Sequence, residues 1–283
     1  MNIFPREGLK TTVFATWFLL VALFLLLPIV TVIVYSFNVG NYLVVWKGFG
    51  LRWYWRILEN GNIAATLANS LIAALACMAI SLVLGGICGI ILARRSALIA
   101  YPLSLLLLTV IAFPEIVKAV AYLVWYVKID LGVGLIRIAI AHALFGTAIV
   151  AFVVRARLSG MDGKLEEAAA DLGATPFVTF ATVTLPLLIP AFLVGGILSF
   201  VISFDDVIIS LFVSTANSTT LPVYILASVR QGLKGDIAAI STAMFVLMIL
   251  IFTLAGAYLS RSGASRRAAM LMLAGQNDAH QAG

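Results

Sequence analysis

Long apolar runs separated by short polar segments dominate the chain, at roughly 12–37, 66–93, 99–125, 135–155, 187–213 and 237–260. A helix needs about 20 mostly apolar residues to cross the hydrocarbon of a bilayer, and each run meets that length. The pattern predicts an all-α integral membrane protein of six transmembrane helices. The first run follows the polar residues Arg6, Glu7 and Lys10, as a signal peptide would, but it stays apolar past Pro28 to Tyr35 without a small-residue cleavage site. It reads as an uncleaved span. The polar breaks suggest three parts: 1–65, an N-terminal transmembrane helix with an extracytoplasmic loop; 66–260, a transmembrane core with a cytoplasmic loop at 158–187; and a cytoplasmic tail, 261–283, that carries no motif.

Composition agrees with this picture. Hydrophobic residues make up 63% of the chain and charged residues 11%, too few charges to cover a water-soluble domain. The net charge of +6, from 18 Lys and Arg against 12 Asp and Glu, matches an excess of basic loops beside anionic headgroups; it points to membrane lipid as the partner and not to nucleic acid. With both termini in the cytoplasm, ten basic residues fall inside (Arg6, Lys10, Arg94, Arg95, Arg155, Arg157, Lys164, Arg261, Arg266, Arg267) and seven outside (Lys47, Arg52, Arg56, Lys128, Arg137, Arg230, Lys234). The sign favours that orientation.

Cys77 and Cys88 lie in one run, roughly 16 Å apart on a helix, too far to bridge. His142 and His280 form no ligand cluster, so no metal site is expected. Gly85 and Gly89 form a Gly-x-x-x-Gly that allows close helix packing.

The segment from Leu158 to Pro190 breaks the apolar pattern and holds four acids, Asp162, Glu166, Glu167 and Asp171. Local chemistry predicts two short helices. Asp162 or Gly163 caps the first, Glu166 and Glu167 suit its positive N-terminal end, and Gly173 suits a left-handed stop. Thr175 caps the second with Pro176 at its first position, and Leu185-Pro186 ends it. Ala168, Ala169 and Ala170 offer a small-residue face for docking. Phe177 and Phe180 present aromatic surface suited to a groove on a partner.

Glu167-Ala168-Ala169, then Gly173, then Val183-x-Leu185-Pro186 resembles the EAA loop of bacterial ABC-importer permeases, with Val183 in place of Ile. That resemblance implies a MetI-like type I permease fold and a coupling helix that docks on an ATP-hydrolysing subunit. Glu167 and Gly173 would hold the loop's shape, and the face of the second helix, with Phe177, Phe180, Leu185 and Pro186, would take the push. The chain has no Gly-x-x-x-x-Gly-Lys-Ser/Thr loop, so ATP and its Mg are expected on partner subunits and no cofactor on this chain.

Glu115, Lys118, Asp205 and Asp206 are ionisable residues in otherwise apolar runs. Each costs at least about 2.5–3.5 kcal/mol at mid-span, so such groups face a cavity or a partner. A structural Glu115–Lys118 pair one turn apart, or acids merely marking a span end, is the simpler alternative. Glu115 lies fifteen residues past Ala100 and Asp205 fifteen past Pro190, which places both acids in one outer layer attractive to cations. Pro114 is expected to kink the third span and free a carbonyl for a ligand.

Phe113-Pro114-Glu115-Ile116-Val117, His142-Ala143-Leu144-Phe145, Glu166 to Thr175, Ser203-Phe204-Asp205-Asp206-Val207 and Thr220 to Ile225 are similar to polyamine permeases of the spermidine/putrescine type. Tyr35-Ser36-Phe37-Asn38 and Trp53-Tyr54 fit as well. The resemblance implies a substrate path along Glu115, Ser203, Asp205 and Asp206. Trp53 or Trp125 would hold ammonium groups by cation–π contact, or serve as interfacial anchors. Lys118 departs from the pattern; facing the path, it would offset Glu115 and favour a zwitterion such as an amino acid or opine.

The aromatic and basic 38–65 loop reads as an interfacial belt and a contact for an external solute-binding protein. The expected assembly is a bacterial inner-membrane importer with a second permease subunit, two ATP-binding subunits and an extracytoplasmic solute-binding protein. A stand-alone secondary transporter is a rival, weakened by the absence of an internal repeat. An intramembrane enzyme is a poorer one, because Asp205 and Asp206 point about 100° apart on a helix.

Overall fold

The computed structural model describes residues 6–261 apart from 44, 133, 162, 216 and 233, and no side chains at 6–10, 12, 259 and 261. Asp162, one of the two expected caps, and residues 262–283 of the tail lie outside the described residues.

The described chain is helical throughout: α1 (Arg6–Ser36), α2 (Arg52–Glu59), α3 (Gly61–Arg94), α4 (Ala97–Ala112), α5 (Glu115–Lys128), α6 (Leu135–Ser159), α7 (Lys164–Asp171), α8 (Pro176–Thr179), a π-helical turn (Phe180–Thr184), α9 (Leu185–Asp205), α10 (Ile208–Val213), α11 (Leu221–Val229) and α12 (Gly235–Arg261). Among the described residues, five stretches are long and apolar enough to cross a membrane: Val13–Ser36, Gly61–Arg94, Leu135–Ser159, Pro176–Asp205 and Gly235–Tyr258. The sixth, α4 with α5, is bent by 104°.

Three features depart from the expected runs, each for a backbone reason. The run at 99–125 is two helices, because Pro114 has no N–H for the ladder and Phe113 and Pro114 are extended, with ψ of 138° and 135°. The run at 187–213 ends at Asp205, where Asp206 turns extended (ψ 128°) before α10 begins. Leu185-Pro186 does not end the second loop helix. The π turn carries the helix through it, with Leu185 N–H bonded to the Phe180 carbonyl five residues back. The wider turn moves backbone carbonyls away from the proline ring, which would otherwise clash with the carbonyl four residues before it. Pro176 to Asp205 is therefore one helix of 30 residues, about 45 Å long.

The described chain divides into two compact units, the residues up to 64 with 225–246, and 65–224 with those from 247 onward. In the second, α3, α6 and α9 pack through small residues. A Cβ on Gly85 would lie 2.7 Å from the Thr147 carbonyl oxygen, and one on Gly89 2.7 Å from that of Ala151. Gly146 faces Ser81 and Ser199 as closely. The backbones thus approach to a distance that no larger residue permits. Val150, Val154, Leu158 and Leu188 form the core between these helices. A second cluster joins α5, α6 and α10 through Ala119, Tyr126, Ile138, Ile209 and Val213.

In the first unit, Trp53 is the buried centre, 3% exposed. Its indole N–H donates to the Asn38 and Gly40 carbonyls (2.8 and 3.2 Å), and the guanidinium groups of Arg52 and Arg56 lie 5.1 and 5.5 Å from its ring. Asn38, fully buried, ties the 38–50 loop together: its Oδ1 accepts from Gly40 N and Lys47 N, and its Nδ2 donates to Val45 O. Phe37 stacks on Phe49 with ring centroids 5.2 Å apart. The expectation that Trp53 offers its face to a solute is therefore corrected, because its ring and N–H are already committed inside this loop.

Candidate functional site

The 158–187 loop folds as its local chemistry dictates from Gly163 to the start of α8. Gly163 precedes α7, and its carbonyl accepts from Glu166 N and Glu167 N (3.0 and 3.1 Å). The helix closes in a Schellman arrangement, with Gly173 at φ +84°, Ala174 N bonded to Ala169 O and Gly173 N to Ala170 O. The Thr175 hydroxyl then accepts from Val178 N, with Pro176 at the first position of α8.

Glu166, not Glu167, holds this loop to the body. Arg94 Nη2, at the end of α3, donates to Glu166 Oε1 at 2.5 Å, and Thr184 Oγ1 donates to the same oxygen at 2.7 Å. One carboxylate thus joins α7 to α3 and to the π turn. Glu167 and Ala168 are exposed and Ala169 half-buried. Phe177 stands free at 79% exposure and Leu172 at 89%. Phe180 departs from expectation: it turns inward and lines a groove of about 470 Å³ with Ile90, Arg94, Leu158 and Glu166. Leu185 and Pro186 lie exposed where the π turn meets α9. The most exposed apolar side chains of this loop are therefore Leu172 and Phe177 on either side of the Gly173 turn, flanked by exposed Glu167 and Ala168. Leu172 was legible in the sequence as an apolar residue before the glycine stop.

The intramembrane acids both stand at helix breaks. Glu115 opens α5 and is exposed on this chain, and Asp205 closes α9 and is exposed as well. The segments that carry them are brought together by α10, which follows Asp206 and packs against α5. Trp125, also on α5, is 57% exposed.

Ser203 and Asp206 face the opposite way, into the protein. His142 on α6 receives them both: its Nδ1 is 2.7 Å from Ser203 Oγ and its Nε2 3.1 Å from Asp206 Oδ1. Asp206 Oδ1 also accepts from Ser210 N at 2.8 Å, and Ser210 Oγ lies 3.3 Å from His142 Nε2. An ionised carboxylate only accepts, so Nε2 carries the proton, and in the neutral ring Nδ1 accepts from Ser203. In the sequence His142 counts as a residue without a metal cluster and as part of the polyamine-permease resemblance, with no role in the path. Its position inside an apolar run was the available signal, since a buried imidazole needs partners.

Lys118 pairs with the backbone instead of with Glu115. Its Nζ donates to the Val110 carbonyl at 3.3 Å and lies 4.7 Å from the Phe145 ring centre. Among the described residues no ion pair joins Lys118 to Glu115. The carbonyl freed by Pro114 is thus filled by Lys118, and its ammonium is buried (7% exposed) instead of offsetting the acid.

The family described as "Binding-protein-dependent transport system inner membrane component" matches residues 85–263. The putrescine transport system permease protein PotI of Escherichia coli (strain K12) is 33% identical over 226 residues, which cover 77% of this chain and 80% of that one. The spermidine/putrescine transport system permease protein PotC of Haemophilus influenzae is 33% identical over 231 residues, 82% of this chain and 90% of that one. Among solved structures, a chain of a bacterial ABC transporter involved in the import of the acidic polysaccharide alginate matches with a TM-score of 0.70, over 91% of this chain and 99% of that one. At 17% identity that last likeness speaks for the fold alone. By fold and by sequence, the chain belongs to the inner-membrane components of binding-protein-dependent transport systems.

Proposed function

We propose that this chain is one permease subunit of an ATP-driven importer for cationic polyamines of the spermidine and putrescine class. The observation that carries the reading is the single helix from Pro176 to Asp205, which has the docking loop at one end and an exposed acid at the other. A displacement applied at Leu172 and Phe177 reaches Asp205 through one continuous rod. The names of the relatives supply the substrate class. Exposed Glu115 and Asp205 supply two carboxylates for separated ammonium groups, and Trp125, exposed further along the helix that Glu115 opens, supplies an aromatic face. The withdrawal of Lys118 to Val110 removes the reason to prefer a zwitterion.

The remaining parts come from outside the chain. A second permease completes the translocation path. Two ATP-binding subunits, which use ATP and Mg, dock on the 158–187 loops from the cytoplasm, where both termini also lie. An extracytoplasmic solute-binding protein delivers the solute. Closure of the ATPase pair pushes the loop and switches the path from inward- to outward-facing.

The test is reconstitution of the chain with its permease, ATPase and binding-protein partners in proteoliposomes. Putrescine uptake that requires both ATP and the binding protein is expected. Uptake by the chain without an ATPase would return the secondary-transporter reading, and ATP-driven uptake of amino acids but not of putrescine would overturn the substrate.

A further inference from the structure

His142 and Asp206 lie 64 residues apart in sequence and meet where three helices converge. The Asp206 side chain is 8% exposed and that of His142 3%. Both nitrogens of His142 are engaged, by Ser203 and Asp206, while one oxygen of Asp206 serves the imidazole and the Ser210 N–H together. A carboxylate held this way is poorly placed to receive a solute, and the break between α9 and α10 is shaped by those same bonds. The neighbouring Asp205 is exposed.

We infer that His142 is a positioning residue. It locks Asp206 against the start of α10, sets the angle of the α9–α10 break, and so presents Asp205 to the path. Asp206 and Ser203 act through His142 and not as cation ligands. The adjacent acids therefore divide the work: Asp205 attracts the cation, and Asp206 shapes the element that carries it. This rests on the cation-importer reading above. The ionisable group bonded to His142 is Asp206, and Ser203 and Ser210 complete its contacts.

The experiment measures putrescine uptake against concentration in the assembled importer in proteoliposomes. Asp205→Asn is expected to raise KM with the maximal rate retained. His142→Ala and Asp206→Asn misplace Asp205 without removing it, so each raises KM by less than Asp205→Asn does and also lowers the maximal rate by about fivefold or more, as loss of a buried hydrogen-bonded partner implies. The double variant is no worse than the poorer single one, and His142→Gln, whose amide can donate to Asp206, recovers much of the rate. A KM effect of Asp206→Asn equal to that of Asp205→Asn, or multiplicative losses in the double variant, would overturn the inference.

A second measurement does not depend on transport. The chain has two histidines, so histidine-selective ¹⁵N labelling with His142→Gln as the assignment control isolates His142. Its Nε2 signal should move in Asp206→Asn and stay fixed when putrescine is added to the wild type. Movement with putrescine toward the Asp206→Asn position, or no response to Asp206→Asn, refutes the positioning role. If the wild type transports no putrescine but the Asp206→Asn shift is present, the substrate reading fails and the positioning network stands.

Discussion

Lys118 Nζ lies 3.3 Å from the carbonyl of Val110, the residue four before Pro114. In an unbroken helix that carbonyl would accept the N–H of residue 114, which proline lacks. The lysine replaces the missing donor and settles its charge against the Phe145 ring. A buried ammonium that is costly in isolation is thereby explained by the break it seals.

Replacing Lys118 with Met should consequently destabilise the protein by about 1–3 kcal/mol, the cost of an unmet buried acceptor. The loss should shrink in a Pro114→Ala background, because alanine at 114 restores a backbone donor. Thermal unfolding of the four members of this cycle in detergent checks the claim; equal losses in both backgrounds would show that the lysine does not serve the Val110 carbonyl.

Glu166 joins Arg94 and Thr184 on one oxygen, yet the ion pair is partly exposed. Such a pair is worth about 0.2–1 kcal/mol, so Glu166→Ala should scarcely lower Tm. Its effect should fall on coupling: solute moved per ATP hydrolysed drops in the reconstituted importer. The swap Arg94→Glu with Glu166→Arg should restore the ratio. A ratio unchanged in Glu166→Ala would mean that the loop transmits force without this tie.

Gly85 allows no Cβ without a contact of 2.7 Å to the Thr147 carbonyl and 2.6 Å to Val150. Gly85→Val should cost about 1–3 kcal/mol or more by overpacking. Gly61, whose added Cβ meets nothing within 4 Å, serves as the control. The comparison is read in the yield of folded protein and in Tm; a well-folded Gly85→Val protein would refute the close α3–α6 approach.

Trp53 is an internal support of its own unit. Trp53→Phe keeps most of the buried ring but removes the donor to Asn38 and Gly40, and should cost about 1–3 kcal/mol. Trp53→Ala should cost about 3–5 kcal/mol. KM for putrescine should not change in the Phe variant. A raised KM with unaltered Tm would return Trp53 to the substrate path.

The 158–187 loop was readable because its determinants are local. A left-handed glycine stop at Gly173, a Thr175 cap and Pro176 at a helix start act within four residues, and the structure has them all. The apolar runs were readable for a related reason: hydrocarbon length and backbone hydrogen bonding impose a helix on any such segment. Local reasoning failed at Leu185-Pro186, where a π turn, a rarer solution than a break, carries the helix onward.

What the chain alone determined, then, is the medium, the helices and the shape of the 158–187 loop around Gly173, since each follows from hydropathy, backbone chemistry or neighbours a few residues away. Only the tertiary structure decided which ionisable groups face outward. Glu115 and Asp205 are exposed while Lys118, His142 and Asp206 are drawn inside, and Glu166 rather than its neighbour ties the loop down. Most of those choices rest on partners 61 to 72 residues distant in sequence, and Lys118 turns on a carbonyl that a proline strips of its donor. In a low-dielectric interior a polar group goes where a partner is, and the packing of distant helices determines where that is.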